Sequence, residues 1–217
     1  MFAGGSSVVP AIVAQVAQQT AQDQSGVAST QYTRTFDVHA GTSSRHDHMI
    51  FTGVYTNGDL AYIHITSDTL GGKDASSSQL AQTKMDYEHP KSTDQFRPPW
   101  DQRYISEYAY QVVNPTTIAF TSLVTDKAHG SGSFTIDMQN HVVAYQYTMS
   151  ANYKYVTKGT VTGQRAEVLP GYWAVTHEVQ QYVGKYGPFP GGATTDIVQS
   201  SFHRYSDLAD AQRAADQ

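Results

Sequence analysis

Nine histidines, nineteen carboxylates and no cysteine set the reactive groups of this 217-residue chain. His46-Asp47-His48 puts two imidazoles on one face of a strand, and His64 follows on its neighbour. Such a group suggests a divalent metal, whose ligands must converge on one point. If Asn57-Gly58 is a two-residue turn, however, His46 and His48 project from one face and His64 from the other. No metal is expected there, and no motif calls for another cofactor. Asp126, His129 and Ser131 carry the three groups of a hydrolytic triad. Triad members usually converge from distant segments, and the G-x-S-x-G elbow is missing. A turn rich in glycine and serine accounts for these residues. Glu88-His89 and His177-Glu178 are neighbours, which on a strand point to opposite faces. Glu107 and Glu167 have no partner at a diagnostic spacing. Without cysteine there is no thiolate nucleophile, no disulfide and no zinc-thiolate site.

The aromatic side chains are the better lead. There are 15 Tyr, 8 Phe and 2 Trp, each able to bury a large apolar area. Phe51, Tyr55, Tyr62, Tyr145 and Trp173 are expected on the inside of a curved sheet. Met49, Phe134 and Ile136 join them as candidate ligand-binding residues. Two readings stand side by side: an ordinary aromatic core, and a cavity that accepts an acyl chain or another apolar small molecule.

Positioning these groups requires strands. From Gln31 to Tyr205 short alternating segments are broken by regular turns. His48 to Thr56 and Asp59 to Ser67 flank Asn57-Gly58, the strongest short hairpin signal. Thr56 then faces Asp59, and Phe51 faces His64. Met49, Phe51, Tyr55, Leu60, Tyr62 and His64 share one face. His48, Ile50, Val54, Ala61, Ile63 and Ile65 share the other. Both faces are largely apolar, so each needs a cover. A helix over Pro10 to Gln24, with Ile12, Val16 and Gln19 on one face, can supply one. Gln31 to His39 is a strand, followed by a loop from Ala40 to Arg45. Leu70 to Arg103, with Pro90 inside it, is a long connection of the kind that carries function. Further strands are expected at Tyr104 to Val113, Thr116 to Thr125, Ser131 to Met138, His141 to Met149, Tyr153 to Thr162, Tyr172 to Val183 and Thr195 to Tyr205. Phe134, Ile136, Met138, Val143 and Tyr145 share a face about the Gln139-Asn140 turn. Gly184 to Ala193, with Gly-Pro-Phe-Pro-Gly-Gly, reads as a loop. Ser206 caps a short final helix beginning at Asp207.

Charged residues make up only 15% of the chain, and the net charge is -5. No Lys/Arg cluster exists for phosphates, so nucleic acid and anionic membrane surfaces are not expected partners. No run of 18 apolar residues occurs, so no transmembrane segment is expected. The first 33 residues contain one charge, Asp23. With no basic leader region, they read as a start after a removed signal peptide. An exported protein, periplasmic or extracellular, is the expectation.

The order of elements resembles the lipoprotein-carrier superfamily of bacterial envelopes, the LolA/LolB-like fold. Phe96-Arg97-Pro98-Pro99-Trp100-Asp101-Gln102-Arg103-Tyr104 and Phe134-Thr135-Ile136-Asp137 are similar to stretches of secreted relatives. The resemblance implies an N-terminal helix and a curved antiparallel sheet around a hydrophobic cavity. It implies non-catalytic carriage of a lipid-like ligand. The long connection departs from that pattern. No lipobox cysteine is present for the membrane-anchored version, and Arg34 is the nearest positional match to a lipoprotein-binding arginine. The expected architecture is mainly β: a half-barrel sheet with an N-terminal helix and a short C-terminal one. One domain is expected, with a lead-in over residues 1–30, a sheet over 31–205 and a helix over 206–217. An exported hydrolase or carbohydrate-active protein with its site in the long loops is the alternative. A structural or adhesive β module is another. The protein partner is not legible.

Overall fold

A computed structural model describes residues 9–89, 96–149, 156–186 and 189–217. Pro90, Tyr153 to Tyr155 and Gly187-Pro188, assigned above to a loop or to a strand start, lie outside the described residues. The strands are β1 (Val27–Ala40), β2 (Ser43–Thr56), β3 (Asp59–Leu70), β4 (Lys73–Asp74), β5 (Tyr108–Asn114), β6 (Thr117–Ser122), β7 (Gly130–Ile136), β8 (Val142–Met149), β9 (Val156–Leu169), β10 (Tyr172–Tyr186) and β11 (Phe189–Tyr205). The helices are α1 (Ala11–Asp23), α2 (Ser77–Glu88) and α3 (Leu208–Ala215). All strands belong to one open antiparallel sheet in the order β4-β3-β2-β1-β11-β10-β9-β8-β7-β6-β5.

This order explains the long connection. The chain meanders from β1 out to one edge at β4. It then crosses to the opposite edge at β5 and meanders back until β11 pairs with β1. Residues 75–89 and 96–107 therefore belong to a connection between the two edges of the sheet. They include α2, which begins at a capping box: Ser76 Oγ accepts from Gln79 N–H, and Gln79 Oε1 accepts from Ser76 N–H. That Ser-x-x-Gln signature stood in the sequence. α2 runs beside β3, and Glu88 Oε1 accepts from Ile63 N–H at 3.4 Å. A helix on an otherwise open edge is a common protection against strand addition.

Bulges bend the strands and reset the registers. Thr56 faces Asp59 as expected, with Asn57 at φ 50° and Gly58 at φ 85°. Phe51 faces Ile65, not His64, because the ladder slips between Val54 and Tyr55; a second slip follows between Ile50 and Phe51. Ile63 and Ile65 thus join Met49 and Phe51 on the inner face. Tyr62 and His64 turn outward with Val54. The hairpin is covered on both sides, but not by α1. Tyr87 of α2 packs inside, and α3 lies outside, where Tyr62 Oη donates to Asp216 at 2.5 Å.

α1 covers the other half of the sheet with Val13, Val16, Ala17 and Thr20, a face one step round from the expected one. Several expected loops are tighter. Gly41-Thr42 alone joins β1 to β2, since Ala40 faces Ser43. Gly184 faces Gly191 and Tyr186 faces Phe189, so the Pro/Gly segment continues a hairpin. Met138 is 97% exposed in its turn, and Val142, not Val143, faces Ile136 across a bulge. β5 starts at Tyr108, after a 3-10 turn over Ile105–Glu107. Asp207, not Ser206, caps α3 by accepting from Asp210 N–H at 2.8 Å.

Candidate functional site: the inner face of the sheet

Two hydrophobic clusters occupy the inner face. Tyr32, Met49, Phe51 and Ile63 form one, with Tyr55, Ile65, Tyr87 and Ile197 against them. The Tyr32 and Phe51 rings stack at 4.5 Å, and Tyr87 tilts onto Phe51 at 5.1 Å. The second cluster joins Val13 and Val16 of α1 and Trp100 of the crossing connection to Phe120, Phe134, Ile136 and Tyr145 of the sheet. Trp100 lies 5.4 Å from Phe134 and 4.9 Å from Tyr145. Ring pairs at such separations add to the area they bury.

A cavity of about 190 Å³ lies between the clusters, lined by Tyr32, Tyr55, Tyr172, Val175 and Phe202 among others. It shares Gln24, Tyr55 and Gly58 with an outer cavity of about 500 Å³. Leu60, Phe96, Pro98 and Tyr104 share the lining of the outer cavity with Asp59, Arg97, Asp101 and Arg103. Volumes of this order suit small-molecule ligands. The Tyr32 and Tyr55 hydroxyls bond each other in the inner cavity. Burial raises both phenols well above their ordinary value, so they stay neutral.

The candidate residues are divided by this geometry. Met49, Phe51 and Tyr55 lie with the first cluster; Phe134, Ile136 and Tyr145 lie with the second. Tyr62 is on the outer face. Trp173 stacks on His141 at 4.3 Å. Among the described residues, neither Tyr62 nor Trp173 joins the cluster that holds Phe51. Tyr32, Tyr172 and Phe202 were missed. Only the tyrosine richness of their strands pointed to them, because adjacency of β1 to β11 is not written in local pattern.

The polar motifs resolve into structural contacts. His46 Nδ1 lies 2.6 Å from Asp37, and His64 Nδ1 lies 3.0 Å from Asp216. The bulge puts His48 and His64 on the same face, contrary to the simple register. Ile50 and Thr52 separate them along the strand, and among the described residues no group of three ligating side chains forms. His129 is fully buried, with Nδ1 2.5 Å from Asp126 and Nε2 2.6 Å from Glu107. Burial alone favours the protonated Asp126 carboxyl, but the His129 contact outweighs it and lowers the carboxyl below its ordinary value. Arg97 bonds Glu107 at 3.2 Å, so Glu107 has two partners where none was expected. Arg97 N–H donates to Ala128 O at 2.8 Å, fastening the connection to the sheet. Ser131 Oγ accepts from Ser122 N–H at 3.0 Å and takes no part in this cluster's bonding.

No family model and no curated protein matches this chain. Solved structures similar to it include a domain assigned to an outer membrane lipoprotein-sorting protein of Vibrio parahaemolyticus: 12% identity, 94% of this chain and 98% of that one covered, TM-score 0.47. A LolA superfamily protein of Nitrosomonas europaea is 11% identical over 92% of this chain and 96% of its own, TM-score 0.43. A DUF1329 family protein of Desulfovibrio piger is 12% identical over 95% and 98%, TM-score 0.42. These matches cover nearly the whole chain. They are a likeness of fold and say nothing of ligand or activity.

Proposed function

We propose that this protein binds and carries an apolar, lipid-like molecule without chemical transformation, in the bacterial cell envelope. One observation carries this reading: the aromatic inner face does not pack shut. Two clusters stand apart, with neighbouring cavities of about 190 and 500 Å³ that share Gln24, Tyr55 and Gly58 in their linings. An acyl chain entering there removes apolar surface from water, at about 25 cal/mol per Å². Among the described residues no helix is long and apolar enough to cross a membrane. Export to the envelope is part of the proposal and follows from the low charge and polar composition. The long connection, once the natural place for a hydrolytic site, serves to cross the sheet and to wall the cavity.

Organic extraction of the purified protein, followed by mass spectrometry, tests the reading. A lipid retained in roughly stoichiometric amount supports it. The melting temperature should also rise with the logarithm of excess acyl ligand, since the ligand binds only the folded state. No extracted lipid and no rise with any acyl chain would overturn it.

A further inference from the structure

We propose that the ligand of the inner cavity is an amphiphile with an anionic head, a carboxylate or a phosphate, and that Arg165 receives that head. The proposal rests on the carrier reading above and deepens it. Arg165 projects from β9 and is 5% exposed. One of its terminal nitrogens, Nη2, donates to Trp173 O at 3.3 Å. The other, Nη1, is buried with no hydrogen-bond partner. A buried cation with unused donors is costly unless something fills them. Asp23, at the end of α1, balances part of the charge through space. Its oxygens, however, bond His141 Nδ1 at 2.9 and 3.0 Å and Gln19 Nε2 at 3.0 Å, and none reaches Nη1. Thr20 Oγ1, one turn earlier on the same buried face of α1, is also without a partner.

Arg165 stands behind the cavity wall. It faces Val175 across the β9–β10 ladder, and Tyr172, Ala174 and Val175 line the inner cavity. Arg204 lies 5.1 Å over the Tyr172 ring and adds a second cation at that end. Beyond it, the outer cavity offers a tail Leu60, Phe96, Pro98 and Tyr104, set among the charged Asp59, Arg97, Asp101 and Arg103. A fork of guanidinium donors suits a carboxylate or phosphate and has little to offer an alcohol.

The test compares dodecanoate, dodecyl phosphate and dodecanol, each below its micellar or solubility limit, by titration calorimetry on the full chain. The wild type should bind the two anions at least about tenfold more tightly than the alcohol, the worth of one charged hydrogen bond. The ratio between the anions tells a carboxylate source from a phosphate source. Arg165→Gln should bring both anions to the level of dodecanol and leave dodecanol unchanged. Arg165→Lys should keep part of the preference. Equal binding of all three by the wild type overturns the proposal, and so does a preference that survives Arg165→Gln. Arg165 is then only the counter-ion of Asp23. If Arg165→Gln does not fold, the wild-type comparison and Arg165→Lys decide. Absence of binding by all three sinks the carrier reading itself, and this inference with it.

Discussion

Arg103, in the connection that crosses the sheet, holds both carboxylate oxygens of Asp59 at 2.9 Å from its Nη1. Asp59 opens β3 just past the Asn57-Gly58 turn, so this pair ties the hairpin tip to the connection across the outer cavity. Asp101 grips the same guanidinium from the other side, with Nη2 at 2.7 Å. Both side chains of the bridging pair are more than half exposed. Asp59→Ala should therefore cost less than about 1 kcal/mol of stability. Its expected effect is faster ligand exchange, read by stopped-flow fluorescence. A loss of several kcal/mol in urea unfolding would make the pair a structural strut instead.

The Asn57-Gly58 turn needs positive φ at both positions, and it also anchors the start of β1. Asn57 N–H donates to Gly26 O, and Gly26 N–H donates to Asn57 Oδ1, each at 2.9 Å. Gly58→Val should lower stability by about 1–3 kcal/mol, because a β-branched residue resists φ near 85°. Unfolding in urea measures it. An unchanged midpoint would contradict the turn.

Gly163 faces Tyr145 across the β8–β9 ladder, and a Cβ there would land inside the Tyr145 ring. Gly163→Ala should push the ring off its seat and break its hydroxyl's bond to Glu178. The expected loss is about 1–3 kcal/mol, as for an overpacked core. Trp100, against Tyr145, should report the shift in its emission spectrum. A variant as stable as the wild type with unshifted emission would refute the close packing.

Tyr62 and Tyr55 separate the bulged register from the simple one. Tyr55→Asp puts an unpaired charge in the cavity and should abolish the ligand-induced rise in melting temperature. Tyr62→Phe, on the outer face, should leave that rise intact and only loosen α3. Loss of the rise in both variants would restore the unbulged faces, on which the two rings sit together.

Acid should loosen the fastening of the connection. The Asp126 carboxyl is lowered in the folded state; burial opposes this, but the bond to His129 prevails. Its stabilisation is therefore present above the unfolded carboxylate value of about 3.9 and is lost as pH falls through the lower folded value. Asp126→Asn should flatten the melting-temperature profile below about pH 4. A profile as steep as that of the wild type would remove Asp126 from the linkage.

Strand and turn chemistry is local, and so it was legible. Asn57-Gly58, Leu169-Pro170-Gly171 and the alternation of Ile118 with Phe120 need only neighbours in sequence to act. The N-terminal helix, the final helix and the lack of a free sulfur were legible for the same reason. Even the capping box at Ser76 was written locally, though its helix was read as a loop. What only the tertiary structure decided is pairing at a distance. β1 meets β11 because the chain returns from the far edge, and no residue in Val27–Ala40 states this. The bulges at Phe51 and Tyr55 exist because one extra residue must be absorbed when a twisted strand follows its partner. A single-residue slip exchanges the two faces of a strand. That slip sent Tyr62 outward, brought Ile63 inward, and moved the cavity to Tyr32, Tyr55 and Tyr172. Arg165 likewise looks like any strand arginine in sequence; burial beneath α1 leaves its Nη1 without a partner.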